Sequence, residues 1–490
     1  MIDTQNEKNR ISEMAIRGNL SHRIDSAMSI DDIIYEIRLD RDSLIKDKKS
    51  KISKVSEMLA EDIFEIPSGW KWVALGDLCI LLSRGKSPTY SEVKKYPVFA
   101  QKCNQPQHLA LEKALFLDES TLNKWPEYFK LRDADVVINS TGTGTVGRVG
   151  YFTMESLDPE YEFIVPDSHV TVVRVGNNVI SKYIYYALRT KSIQTIMEKT
   201  FRGSTNQKEF YIESVYSIPI PLPPTEEQKE IVSILDEVYE QLDIIDTLQR
   251  QYESDLSVLK GKIIDAGIRG KLTEQLPEDG DAETLYSQIQ EEKAKLIKEG
   301  KIKKEKPLPE ISADEIPFEI PKNWKWVRLQ DVALTIVDCP HSTPKYYEKA
   351  TSYFAIDTNC IDENGDITGF RNLDEDDYNK RISRLEPKFG DIVYTREGSI
   401  CRAAVLPLNK KICLGQRVML IRCPDMLEIY YIKRVLMAQQ MVKILTLKQR
   451  GIGVNHVNVG DVCKLVIPLP PLTEQKRIAK KISELSEIIS

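Results

Sequence analysis

The sequence predicts an α+β protein in which two similar mixed α/β domains are held apart by long antiparallel paired helices. Three observations predict this fold. The chain has an internal repeat with a period of about 250 residues, a long amphipathic stripe follows each copy, and two mildly basic blocks alternate with acidic segments. Because the repeat is circularly permuted, we expect a pseudo-two-fold relation between the two halves of the molecule.

Length and composition agree with this prediction. A chain of 490 residues can bury the cores of two or three domains, and 41% apolar with 29% charged residues excludes a disordered or fibrous protein. No apolar run approaches the ~18 residues of a membrane span, and the polar start is no signal peptide, so we expect a cytoplasmic protein. The eight cysteines form no CxxC pair, which predicts reduced thiols and no metal site.

The repeat consists of motifs that recur in the same order. FEIPSGWKWV returns as FEIPKNWKWV, IPLPP returns unchanged ahead of a Glu-Gln-Lys group, and DVVIN matches DIVYT. Identity of this length and order is far beyond chance, so residues 66–220 and 320–467 are two copies of one domain. The matched segments are 64–73 with 318–327, 135–139 with 391–395, and 220–224 with 467–471.

Charge is distributed unevenly along the chain. The two copies carry 18 and 22 basic against 16 and 17 acidic side chains, whereas the remainder carries 28 basic and 41 acidic ones. In a nucleic-acid-binding protein, this would place the contacts in the copies and leave the connectors as scaffold. Acidic helices that are merely well solvated explain the same pattern.

The connectors repeat in permuted order. Residues 15–18 match 267–270 at an offset of 252, and the apolar positions that follow each segment match at the same offset. The N-terminus therefore copies the second half of the central connector. Residues 472–490 copy its first half. About nine residues are missing between these two pieces, so we expect the termini to lie close together and to complete a second connector.

The central connector is predicted to begin with a long helix over 225–263. Its apolar residues alternate in steps of four and three, Thr225 and Gln228 predict a capping box, and two prolines end any helix upstream. One amphipathic helix on a local core is the alternative, and the second copy favours a helix pair. The predicted seam of that pair consists of Ile231, Leu235, Val238, Leu242, Ile245, Ile478, Ile482, Leu485 and Ile489.

These observations divide the chain into five segments. They are an N-terminal helical segment that completes the second connector (1–62), a first domain (63–222), a central helical connector (223–315), a second domain (316–469) and a C-terminal connector helix (470–490).

The motifs and their layout resemble those of a known family. The IPLPPxxEQ signature at 220–228 and at 467–475, together with IPxxWxW at 66–72 and 320–326, is similar to that of the specificity subunits of type I restriction–modification systems. The resemblance covers essentially the whole chain. It implies two target-recognition domains, each reading one half of a bipartite asymmetric DNA site.

The resemblance also implies partners and cofactors. The helices would set the number of unread base pairs and dock two modification subunits, which carry S-adenosylmethionine and methylate adenine in double-stranded DNA. Where the system includes them, two restriction subunits that use ATP and Mg would join the complex. No cofactor is expected to bind this chain, and no association with a membrane is expected.

The sequence carries no catalytic motif, which predicts a non-catalytic subunit. Gly85-Lys86-Ser87 ends like a P-loop, but Ile80 stands where the first glycine belongs. HExxH, GxSxG and the methyltransferase Asn-Pro-Pro-Tyr/Phe motif are absent. The glycine-rich stretch 140–148 is better explained as a hairpin or bulge than as a phosphate cradle.

Candidate DNA-binding residues are polar or cationic side chains on predicted loops, where a rigid core can present them. A solvated surface role is the alternative for each of them, whereas Trp70, Trp72, Trp324 and Trp326 are expected to be buried anchors. The acidic run 374–377 is expected to be a solvent-facing turn. In the first domain the candidates are Arg84, Lys86, Thr89, Tyr90, Gln101, Lys102, Asn104, Arg148, Arg202, Asn206 and Lys208. In the second domain they are His341, Ser342, Thr343, Lys345, Tyr346, Arg396, Gln449, Arg450, Asn455 and His456.

Two other functions stay open at this point. The chain is alternatively an assembly scaffold whose diverged domains bind other proteins, or the specificity subunit of a related bifunctional restriction–modification system. Salt-sensitive, sequence-dependent DNA binding would separate the scaffold from the specificity subunit, since phosphate contacts release counterions.

Overall fold

The protein forms two compact units, residues 1–250 and 251–490, each with a hydrophobic core of its own. The computed structural model describes residues 1–24, 28–46, 57–59, 63–142, 144–204, 207–447 and 456–489. Within those ranges, no helix is both long enough and apolar enough to cross a bilayer.

Unit 1 begins with two helices, continues through a mixed domain and ends in a long helix. Its helices are α1 (Thr4–Ile16), α2 (Ile30–Lys46), α3 (Ser181–Arg189), α4 (Lys191–Lys199), α5 (Ile212–Tyr216) and α6 (Thr225–Ile268), the last of which continues into unit 2. Its strands are β1 (Lys71–Ala74), β2 (Cys79–Arg84), β3 (Tyr90–Ser91), β4 (Pro97–Phe99), β5 (Leu115–Leu117), β6 (Val136–Asn139), β7 (Val149–Tyr151), β8 (Val165–Pro166), β9 (Val170–Val175), β10 (Arg202–Ser204), β11 (Gln207–Glu209) and β12 (Pro219–Leu222).

Unit 2 follows the same plan. Its helices are α7 (Ala282–Lys298), α8 (Leu329–Val332), α9 (Glu375–Ile382), α10 (Ile429–Met437), α11 (Gln439–Leu447), α12 (Val459–Cys463) and α13 (Leu472–Ile488). Its strands are β13 (Lys325–Arg328), β14 (Thr335–Asp338), β15 (Tyr353–Ile356), β16 (Arg371–Leu373), β17 (Ile392–Thr395), β18 (Ala403–Val405), β19 (Lys411–Leu414), β20 (Val418–Arg422) and β21 (Val466–Leu469).

The central sheets of the two units have the same topology. Unit 1 orders its strands β2-β9-β6-β7 and unit 2 orders its strands β14-β20-β17-β18, all antiparallel. The matched motifs DVVIN and DIVYT form the buried strands β6 and β17. A second sheet lies beside each, ordered β3-β5-β4-β8 in unit 1 and β16-β15-β19 in unit 2.

The IPLPP motif forms the last strand of each domain and pairs with the first. β12 is antiparallel to β1, and β21 is antiparallel to β13. Prolines fit here because a two-stranded ribbon leaves one edge of each strand without ladder partners. The carbonyls of Pro221 and Pro468 accept hydrogen bonds from the buried Tyr183 and Tyr431 hydroxyls. The proline-rich motif therefore forms a strand as well as preventing any helix upstream from running into α6 or α13.

A buried ion pair spans the base of each central sheet. Arg174 donates from Nε and Nη2 to the two carboxylate oxygens of Asp135, at 2.8 and 2.6 Å. Arg422 makes the same pair with Asp391, at 2.7 and 2.6 Å. Such bidentate pairs fix geometry as well as charge.

The Glu-Gln dipeptide after IPLPP is buried at the start of α6 and of α13. Gln228 accepts from the backbone N–H of Ile180 and donates to the Pro223 carbonyl, and Gln475 makes the equivalent bonds to Glu428 and Pro470. The predicted capping box is wrong. Its Gln is engaged with the domain, and the Thr225 hydroxyl donates to the Asn178 carbonyl.

The helical connectors pack against their own domains in equivalent ways. Gly18 and Gly270 have φ near +70°, and a Cβ at either would collide with Pro67 or Pro321 of the IPxxW motif. The Arg17 and Arg269 guanidinium groups lie 4.1 and 4.2 Å from the ring centroids of Phe64 and Phe318, respectively. The permuted repeat of the sequence therefore corresponds to equivalent packing in both units.

The predicted seam residues are divided between the two cores. Ile231 and Leu235 are buried in the core of unit 1, and Ile478 and Ile482 in that of unit 2. Leu242 is also buried, whereas Val238, Ile245, Leu485 and Ile489 are half-buried. In unit 1, Tyr239 on α6 contacts Ser12 on α1, and Gln249 bonds both backbone groups of Ile2, so α1 runs antiparallel to the first part of α6.

Candidate nucleic-acid interface

Five stretches of chain converge at one end of the central sheet of unit 1, which we call loop end 1. They are 84–90, 101–104, 140–142 with 144–148, 167–170, and the paired strands 202–204 and 207–209. The Thr141 hydroxyl and the His169 ring lie 2.7 Å apart, and the Gly85 N–H donates to the Val170 carbonyl. Thr141 also pairs with Glu209 across an isolated bridge. The sheet thus positions segments that are far apart in the sequence.

The glycine-rich stretch is a hairpin loop, as predicted. It connects β6 to β7, which are antiparallel. Gly147 has φ +79°, and a Cβ there would meet the ring of Phe201 at 2.6 Å, so glycine lets the loop approach the chain just before β10.

Arg84 lies at the base of hairpin β10–β11. Its Nη1 donates to Glu209 Oε1 at 2.6 Å, and its Nη2 donates to the carbonyls of Phe210 and Ser140 at 2.9 and 3.3 Å. Its Nε is buried and has no hydrogen-bond partner among the described residues. The guanidinium is therefore held by internal acceptors.

Asn104 is fully buried. Its Nδ2 donates to Asn139 Oδ1 and to the Arg148 carbonyl, at 3.1 and 3.0 Å, while Arg148 Nη1 donates back to the Asn104 carbonyl at 2.8 Å. Gln101 accepts from the Thr145 hydroxyl. These contacts bring three predicted residues together and fix the loops that carry them.

The remaining predicted residues of loop end 1 are exposed. Lys86 lies over the Phe129 ring and Arg202 over the Tyr211 ring, with 5.2 and 5.8 Å to the centroids. Tyr90 is 47% exposed on β3. Thr89, Lys102 and Lys208 are also exposed. Asn206 lies outside the described residues.

Asp167 is a buried carboxyl within this end. It is 2% exposed, and its Oδ1 accepts from the backbone N–H of His169 at 2.8 Å. Burial raises the pKa of Asp167 to about 6, because desolvation of the charged form outweighs this hydrogen bond.

Loop end 2, at the equivalent end of the unit 2 sheet, centres on Arg396. This residue follows β17 and is 6% exposed. Its Nε lies 2.9 Å from Asp338 Oδ1 as an ion pair outside hydrogen-bond geometry, and its Nη2 lies 3.5 Å from Glu397. His456 lies 3.3 Å from Arg396 Nη1 and 3.2 Å from Glu397, and His341 lies 3.8 Å from Asp338.

The other predicted residues of unit 2 are more scattered. Ser342 and Thr343 are exposed, with Thr343 accepting from Gln416 at 2.6 Å. Lys345 is exposed, and the half-buried Tyr346 hydroxyl lies 3.5 Å from Asp357. Gln449, Arg450 and Asn455 lie outside the described residues.

The acidic run 374–377 was expected to be a turn, and this prediction is wrong. The run forms the N-cap and first turn of α9. Asp374 caps this helix by accepting from the Asp377 N–H at 2.7 Å. Acidic residues suit a helix N-terminus, where they face unpaired N–H groups and the positive end of the dipole.

The sequence did not single out the acidic partners at either loop end. Glu209, Asp338 and Glu397 each contact a predicted cation. A weak signal was available for Asp338, since it precedes His341 by three residues. Glu209 lies 125 residues after Arg84, so no local pattern could connect them.

The described residues contain no cluster of His, Cys, Asp and Glu fit to hold a metal ion. All eight cysteines are free, and burial raises the pKa of Cys360 to about 11, which disfavours its thiolate.

Two copies of one α+β domain, each with a polar loop end of its own, define a two-domain recognition protein. Comparisons with known proteins agree. A family model described as the type I restriction modification DNA specificity domain matches residues 67–253 and 321–490. The chain therefore belongs to the family of type I restriction–modification DNA specificity subunits, the non-catalytic part of those systems, as its motifs predict.

Individual relatives show how much of the chain is shared. The type I restriction enzyme EcoEI specificity subunit of Escherichia coli is 24% identical over 98% of this chain and 88% of its own. The EcoAI specificity subunit of the same organism is 26% identical over 66% of this chain and 61% of its own. A solved structure concerned with complex assembly and conformational transition of the type I R-M system has a TM-score of 0.57, with 18% identity over 87% of this chain and 92% of that one. That likeness shows the fold.

Proposed function

We propose that each unit reads one half of a bipartite, asymmetric DNA site through its loop end. The observation that carries this proposal is that the two units share a frame and differ at their loop ends. Loop end 1 exposes Lys86, Lys102, Arg202 and Lys208. Loop end 2 holds Arg396 between two acids and beside His456, with His341 next to one of those acids. Different side chains on a common frame are suited to different base sequences.

The helices are proposed to set the unread spacer between the half-sites. α6 contains 44 residues, which at ~1.5 Å per residue is roughly 66 Å of helix. Two readers on one side of duplex DNA need a separation near one helical turn, about 34 Å. The pairing of helices along the predicted seam, and the five-segment division of the chain, are parts of this proposal.

The partners are proposed to be double-stranded DNA, two modification subunits and, where present, two restriction subunits, all in the cytoplasm. S-adenosylmethionine would be held by the modification subunits, and ATP with Mg by the restriction subunits. Apolar side chains support docking on α6, because large exposed apolar residues on a helix favour a protein partner. They are Ile244, Leu248, Tyr252, Val258 and Leu259.

The first experiment is base-resolution mapping of N6-methyladenine in DNA from cells that express this chain with its modification subunit. We expect a two-part asymmetric motif with a fixed gap, lost when this chain is deleted. An assembled complex with cofactor that methylates no new motif would contradict the proposal and favour a protein-binding scaffold.

The same assay tests the role of α6. Inserting or deleting one helical turn just after Gln249 should change the gap by about one to two base pairs, given ~5.4 Å per helical turn and ~3.4 Å per base pair, and leave both half-site sequences intact. A changed half-site with an unchanged gap would contradict the spacer role.

A further inference from the structure

Both units place an arginine–carboxylate pair at the same point of the fold, but they build it from different strands. In unit 1 the arginine ends β2 and its acid lies on β11 (Arg84 and Glu209). In unit 2 the acid ends β14 and the arginine follows β17 (Asp338 and Arg396). β2 and β14 occupy equivalent places in the two sheets, so the charges are reversed on that strand.

The pair in unit 1 fixes the hairpin that carries two exposed cations. Besides the bonds from Arg84 to Glu209 and to the Phe210 carbonyl, the hairpin is attached where the Phe210 N–H donates to the Ser140 carbonyl at 2.8 Å and the Gly142 N–H donates to the Lys208 carbonyl at 3.3 Å. Arg84 thus supplies the charged part of a short attachment. Without it, Glu209 would keep a half-buried charge with no other ion-pair partner among the described residues, and the hairpin base would loosen.

Arg84 and Arg396 are poorly placed to contact DNA directly. To reach a guanine or a phosphate, Arg84 would leave the Glu209 carboxylate and the Phe210 carbonyl in need of another donor, while the Ser140 carbonyl would keep only its bond from the Phe210 N–H. Arg396 is 6% exposed, with Asp338, Glu397 and His456 around its guanidinium. Acceptors that neutralise these cations also reduce their attraction for phosphate.

We infer that Arg84 and Arg396 are positioning residues, each of which orients the DNA-reading segments of its unit without contacting DNA. This inference rests on the proposed function, because it concerns how the loop ends present their exposed side chains. It assigns direct contact to neighbours such as Lys86, Arg202 and Lys208, and it makes Glu209 as important as Arg84.

The test is a double-mutant cycle on the full chain in complex with its modification subunits. Arg84→Ala and Glu209→Ala should each weaken binding to the cognate duplex by about ten-fold or more, and the double variant should bind no worse than either one. The slope of log Kd against log salt should stay unchanged for all three, whereas the matched control Lys86→Ala should reduce it by about one.

A direct DNA contact predicts a different result. Arg84→Ala would then reduce the salt slope by about one, and Glu209→Ala would leave affinity equal or higher, because it removes a negative charge. Either finding would overturn the inference. A wild-type complex without any sequence preference would instead contradict the proposed function itself.

A charge-reversed pair guards against simple misfolding. Arg84→Glu combined with Glu209→Arg copies the polarity of unit 2, and we expect it to recover at least part of the affinity lost in Arg84→Glu alone. Methylation mapping should show the loss confined to the half-site read by unit 1. No recovery, together with relaxed reading of both half-sites, would show that the pair serves only general stability.

Discussion

Asp135–Arg174 in unit 1 and Asp391–Arg422 in unit 2 are the same ion pair at the same place, whereas the pairs at the two loop ends have opposite polarity. The buried Gln228 and Gln475 likewise repeat their bonds. The Asn104 network recurs only in part: Arg402 donates to the Ile361 carbonyl as Arg148 donates to the Asn104 carbonyl, but Ile361 has no side-chain amide to repeat the bonds of Asn104. The difference teaches that the frame of the domain tolerates little change, while the loop end can be rebuilt from other residues if its charges remain paired.

The largest expected effect comes from breaking the frame pair. Asp135→Ala and Asp391→Ala each leave a largely buried arginine without its carboxylate, which should destabilise the unit concerned by about 3–5 kcal/mol. Hydrogen-exchange mass spectrometry assigns the loss to one unit. Glu155→Ala, at an exposed position, is the control, and unequal losses in the two units would break the comparison.

The next effect concerns the buried glutamines. Gln228→Ala and Gln475→Ala each leave a backbone N–H and a carbonyl unpaired, at a cost of about 2–4 kcal/mol. Denaturant unfolding of each variant measures the loss in free energy of unfolding. The control is Lys229→Ala, which alters an exposed residue of the same helical turn as Gln228. If the two losses differed by more than about 1 kcal/mol, a precision typical of such single-substitution comparisons, the equivalence of the two sites would fail.

A smaller effect should distinguish unit 1 by its pH dependence. The pKa of Asp167 is about 6 in the native state and 3.8 ordinarily, so the native state binds more protons between these values. Its contribution to stability is therefore full below pH 3.8 and is lost as pH rises through 6. Asp167→Asn should stabilise by about 1–3 kcal/mol at pH 7 and little at pH 4. Stability curves for the variant and the parent that run parallel from pH 4 to 7 would contradict this.

The smallest effect is expected from a permuted chain. Joining residue 490 to residue 1 through a short linker, and opening the chain elsewhere between the repeats, should leave folding unchanged. The reason is that the N-terminal segment packs in unit 1 as residues 253–298 pack in unit 2. Thermal unfolding of several linker lengths checks it, and failure of all of them would contradict the predicted proximity of the termini.

Local patterns predicted much of this fold. The apolar periodicity predicted α6 and α13, the repeat predicted two equivalent domains, and the glycines predicted a hairpin loop at 140–148. The same reasoning missed that the prolines at 219 and 221 form a strand, because their partner β1 lies about 150 residues earlier.

The candidate site was harder to predict because cations were chosen by residue type and loop position. Arg84 and Lys86 look alike in the sequence. Arg84 pairs with a carboxylate 125 residues later in the chain, whereas Lys86 has no ion pair among the described residues. Burial of Asn104 depends in the same way on Asn139 and Arg148. Long-range pairing therefore decides which side chains are free, and a single sequence does not contain that information in readable form.

The antiparallel pairing of β1 with β12, and of β13 with β21, has a consequence for inheritance. Paired strands lie about 5 Å apart, so the chain leaves each domain beside the point where it came in. Each domain is therefore an insertion that leaves and rejoins the helical connector at neighbouring points. A stretch of gene that encodes one such domain can be replaced by another, at the two repeated motifs, without shifting the helices. Recombination within these motifs would therefore exchange one whole domain for another in one step.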